Sequence, residues 1–131
     1  MNNPNKHLFD CFNAEKERHP DMSVYYRKKS ENNDASIRYH NDDGVLTVFF
    51  SEQGNEDFYF KKPDEGGIGE LVQRVSENGK LGIQGANFLK MPSPFRNIAQ
   101  EYQYDRASLH IDEHDADIKK RMVRKSSYER D

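Results

Sequence analysis

The chain has 131 residues and a formal net charge of −3, enough for one compact domain that buries roughly two thirds of its unfolded surface and too little for two. Only 34% of its residues are apolar, against about 45–50% in an average globular domain, yet eight Phe and seven Tyr exclude wholesale disorder and predict a small aromatic core. The charge excludes a general attraction to nucleic acid or anionic lipid, and the single Cys11 excludes an internal disulfide or a multi-cysteine zinc site.

Met1 to Lys6 has no apolar signal core, and no run approaches the ~18 apolar residues of a membrane span. The expectation is a soluble, cytoplasmic, single domain over residues 1–131, frayed over 1–4 and 126–131, although a protein exported without a signal would share these features. Leu8, Phe9, Cys11 and Phe12 fall on one side of a short amphipathic helix that runs from about Asn5 to Arg18 and stops at His19-Pro20-Asp21. Ser23 to Lys28 and Ala35 to His40 alternate as half-exposed strands, with Tyr25 and Arg27 opposed to Val24 and Tyr26, and Arg38 and His40 opposed to Ile37 and Tyr39.

Val45 to Phe50 is the one continuous apolar run. Turn formers bound it on both sides, so it reads as a central strand whose two faces both need cover. Asp57 to Lys61 gives a fourth strand, and the short polar connections favour an antiparallel meander. Ile68, Leu71, Val72 and Val75 then recur at helical spacing and Asn78-Gly79 supplies a left-handed stop, which predicts a helix lying over one sheet face. Leu81 to Gln84 has room for a short strand, Gly85 to Pro94 reads as a packed loop, and Ser93-Pro94 opens a helix with Phe95, Ile98, Ala99 and Tyr102 on one side. Ala107 to Ile111 alternates as a strand, and Asp112 opens a last helix whose acids precede its bases, an order that opposes the helix dipole without any ligand. The predicted class is α+β: an N-terminal helix, a four-stranded antiparallel meander and a helical C-terminal half packed on it.

Four groups of residues are candidates for function. Phe88, Leu89, Met91 and Phe95 form an apolar, Met-containing segment that serves either as an anchor for a protein partner or as a plug for the end of the core. Tyr25, Arg27, Lys28 and Lys29, with Arg38 on the neighbouring strand, combine aromatic and basic groups suited to stacking bases and pairing phosphates. His110 and His114, four apart, would share a helix face as metal ligands, as a metal-dependent hydrolase requires, unless the helix begins at Asp112 and leaves His110 outside it. Lys61 to Gly69 runs through a Gly-rich turn towards the predicted helix, where backbone N–H groups suit a phosphate, but Asp64 and Glu65 repel one and the nucleotide fingerprints are incomplete.

Cys11 sits among Leu8, Phe9 and Phe12 as a small buried hydrophobe, no nucleophile elbow is present, and no cofactor is expected. The order of elements is similar to that of small bacterial secretion chaperones, but unrelated folds share it and no residue motif assigns the chain to a family. By elimination, the favoured expectation is a non-enzymatic protein-binding module, an adaptor, inhibitor or chaperone-like partner of a larger protein. Nucleic-acid binding and metal-dependent hydrolysis are the alternatives.

Overall fold

A computed structural model describes residues 4–106 of the chain, with side chains from Leu8 onward. Helix α1 (Pro4–Arg18) is followed by strands β1 (Ser23–Arg27), β2 (Ala35–Asn41), β3 (Gly44–Phe50), β4 (Glu56–Lys61), β5 (Glu70–Val75) and β6 (Leu81–Gln84). A single-turn helix α2 (Ala86–Leu89) and a longer helix α3 over residues 93–106 close the described part. All six strands pair with their sequence neighbours, so the sheet order is the chain order and β3 is internal, as its apolar run requires. No helix among the described residues is long and apolar enough to cross a membrane.

The meander thus has six strands rather than four, because the segment expected as a helix over Ile68 to Val75 is β5. A bulge explains the misleading spacing. Phe58 pairs with Gln73 and Tyr59 with Leu71, which leaves Val72 as the extra residue and resets the alternation of faces. Val72 and Val75, three apart, are therefore both buried, as they would be on a helix stripe. Gly79 does adopt a left-handed φ of 86°, but it turns a hairpin from β5 into β6 instead of ending a helix.

Register separates the two faces of the sheet. Tyr26, Ile37, Val48 and Phe58 form one row, and Val24, Tyr39, Leu46 and Phe60 the next, on a common face. That face carries the core, which α1 and α3 cover. Phe12 of α1 stacks on Tyr26 at 5.7 Å, and from α3 Phe95 lies 5.1 Å from Phe60 and Tyr102 5.4 Å from Phe58. Gln73 is fully buried there, and its amide donates to the Ala99 carbonyl at 2.9 Å while accepting from Gln84 at 2.8 Å, so one polar side chain joins β5, α3 and β6.

Candidate functional site

No element among the described residues covers the other face. The strand expected to need cover on both sides has Leu46 and Val48 sealed in the core, while Val45 and Phe49, pointing away, are only half-buried. The helix expected over one face of the sheet is itself a strand of it.

Strand pairing decides what the open face carries. One row runs Tyr25, Arg38, Thr47, Tyr59, Leu71, a second runs Arg27, Ser36, Phe49, Asp57, Arg74, and a third sets His40 beside Val45 and Lys61. Between these rows lies a groove of about 190 Å³. Its walls are Arg27, Arg38, His40 and Lys61, and Gly67 and Ile68 of the β4–β5 loop close one end. Its floor is mixed: the small side chains of Ser36 and Thr47 are buried between the longer ones, beside Val45 and Phe49. Around the groove the rings brace one another: Tyr25 meets His40 edge to face at 4.8 Å, and Phe49 meets Tyr59 at 5.6 Å. The Arg38 guanidinium lies 5.3 Å over the Tyr25 ring, which holds the cation at the lip. Burial, and then the charges of Arg38 and Lys61, hold the His40 imidazole below its usual pKa, so the ring is kept neutral.

Asp57 is the one carboxylate in these rows, and Arg74 neutralises it through two hydrogen bonds of 2.7 and 3.1 Å. The face is therefore locally cationic on a molecule of net charge −3.

Of the aromatic and basic residues singled out in the sequence, Tyr25, Arg27 and Arg38 do come together on this face. Lys28 and Lys29 lie past the end of β1, and Lys29 is 2.6 Å from Glu52. The apolar segment divides differently: Phe88, Met91 and Phe95 are in the core, which leaves Leu89, 68% exposed, as its one surface member. The Gly-rich turn at Gly66 to Gly69 leads into a strand, so no helix N-terminus stands there to hold a phosphate. His110 and His114 lie outside the described residues, and among those described no group of three His, Cys, Asp or Glu is placed to hold a metal. Lys61, the first residue of the Gly-rich stretch, is a wall of the groove, a place that spacing did not signal because it depends on β4 pairing with β3 in the observed register.

A second polar cluster sits beneath the core between α1 and α3. Tyr39 donates to Glu15 at 2.6 Å and its oxygen lies 2.6 Å from that of Tyr102, while Glu15 also contacts Arg18 and His19 at 3.3 and 3.4 Å. Burial, and then the Glu15 and Glu56 carboxylates, push the Cys11 thiol up to about 11, so it is protonated and unreactive at neutral pH. Glu15, Tyr39 and Tyr102 bond one another and make a structural network.

Protein-family models, characterised proteins and solved structures provide no match to the chain.

Proposed function

We propose that the protein is a non-enzymatic protein-binding module, an adaptor, inhibitor or chaperone-like partner of a larger protein, that docks through its open sheet face. The observation that supports this is the composition of that face. Tyr and Arg, with Trp the residues that dominate binding energy at protein interfaces, make up much of it, and Lys61 is its one lysine. A sheet held from behind by two helices also presents these side chains from an ordered backbone, which lowers the ordering cost of binding to that of the side chains themselves.

Single-stranded nucleic acid is the second reading, favoured by the convergence of Tyr25, Arg27 and Arg38 on one face. It fits less well, because one face of the Tyr25 ring is taken by Arg38 and its neighbour His40 packs against it, so it is not a free stacking platform.

The experiment is a pull-down from lysate of the native host, nuclease-treated, with the wild-type chain and a Tyr25→Ala/Arg38→Ala variant compared. Both side chains are exposed, so the variant keeps the core. A protein retained in stoichiometric amount by the wild type and lost by the variant is the expected result. Retention by both would remove the sheet face from the interface, and loss on nuclease treatment would transfer the reading to nucleic acid. Leu89→Ala is the companion variant, since Leu89 alone of the apolar segment is exposed enough to meet a partner.

A further inference from the structure

We propose that the groove between Arg27, Arg38, His40 and Lys61 is a carboxylate-binding site that receives an Asp or Glu side chain from an acidic segment of the partner; this rests on the protein-binding reading above. The first support is charge. Arg27, Arg38 and Lys61 line the groove with no Asp or Glu among its walls, and the nearest acid of the same rows, Asp57, is already satisfied by Arg74. Three cations facing a common space without a carboxylate repel one another, and an anion placed among them relieves that repulsion.

Hydrogen bonding supports the same occupant. The Ser36 and Thr47 hydroxyls at the floor can donate to an oxygen lowered between them, while the guanidinium forks of Arg27 and Arg38 suit a carboxylate from the sides. His40 completes the wall of the groove, with its Nε2 shut off from solvent.

Size decides between a side chain and a whole small molecule. The groove holds about 190 Å³, below the roughly 300–1,000 Å³ of pockets that enclose drug-sized ligands. A carboxylate head group with its water fits, whereas a nucleotide would leave its base and sugar outside on rings already engaged with one another.

The test uses the full chain, labelled with ¹⁵N, titrated with an octaglutamate peptide, with octaglutamine as the uncharged control and an eight-nucleotide oligothymidylate as the competing anion. Octaglutamate is expected to shift the amides of Arg27, Ser36, Arg38, His40 and Lys61, and octaglutamine to leave them in place. Arg38→Gln and Lys61→Gln should each weaken the peptide about tenfold, the size of one charge-assisted hydrogen bond. Absence of shifts at the groove, an unchanged affinity in Arg38→Gln, or tighter binding of the oligothymidylate would each overturn the assignment. If the peptide fails while the pull-down retains its protein, only the carboxylate site falls; if the peptide binds and the pull-down is empty, it is the protein-binding reading that falls.

Discussion

The hydroxyl of Tyr39 bridges α1 and α3, lying 2.6 Å from both Glu15 and Tyr102 inside the core. Tyr39→Phe keeps the ring but leaves a buried carboxylate oxygen and a second hydroxyl short of a partner, so it should cost about 2 kcal/mol in urea unfolding. Tyr102→Phe should cost less, because Tyr39 then keeps its bond to Glu15. A second buried group works against stability. Burial pushes the Glu56 carboxyl up to about 7 from 4.5, a rise that Asp105 adds to and the Arg106 guanidinium, 3.4 Å away, only partly opposes. The native state therefore keeps its proton where the unfolded chain has lost it, so stability falls as pH rises from about 4.5 to about 7 and stays low above that. A shift of that size corresponds to at most about 3 kcal/mol. Glu56→Gln should shrink the difference in unfolding free energy between pH 5 and pH 8, and an unchanged difference would show that the carboxyl titrates normally.

Two turns show how far single elements were legible. Ser51-Glu52-Gln53-Gly54-Asn55 and Ser76-Glu77-Asn78-Gly79-Lys80 share the pattern Ser-Glu-x-Gly-x. Both close the same way: the Ser amide donates to the carbonyl of the fifth residue, the Gly amide returns to the Ser carbonyl, and the Ser hydroxyl accepts the fifth amide. The first sits between segments that alternate plainly and reads as a hairpin. The second follows β5, whose bulge at Val72 disguises its alternation as a helical stripe, so local spacing outweighed the turn chemistry. Weighing the repeated turn would have favoured a fifth and sixth strand. Regular alternation made β1 to β4 readable, and the strong cap and stripe made α3 readable, because in those segments propensity and packing agree. The start of β5 also depends on Gly69, where φ is 92° and an added Cβ would lie 2.2 Å from the Phe60 carbonyl oxygen. Gly69→Ala should destabilise the fold by about 2 kcal/mol or more and raise hydrogen exchange first in the β4–β5 pairing.

For the molecule as a whole, the low apolar content fits a sheet that the described residues pack on one face only, so half of each strand is free to be polar. The sequence carries that alternation, and Arg38 and His40 could be placed on one face from it; the open groove could not, because it exists only when six strands are in register and no helix of the described residues lies across them. The separation of a cationic face from an otherwise acidic surface predicts a particular salt response. Added sodium chloride should slow association with octaglutamate far more than it speeds dissociation, while the urea midpoint of the free chain changes little, as stopped-flow mixing and equilibrium unfolding would show. The chain-order sheet has a further consequence during synthesis. Each strand can pair with the one made just before it as the chain leaves the ribosome, so the sheet can grow strand by strand. Phe95, Ile98 and Tyr102, which seal its apolar face, are made only after all six strands. A nascent chain ending before α3 would display Tyr39, Val48, Phe58 and Phe60 to solvent, which makes the interval between β6 and α3 a stretch of translation in which this protein calls for a chaperone.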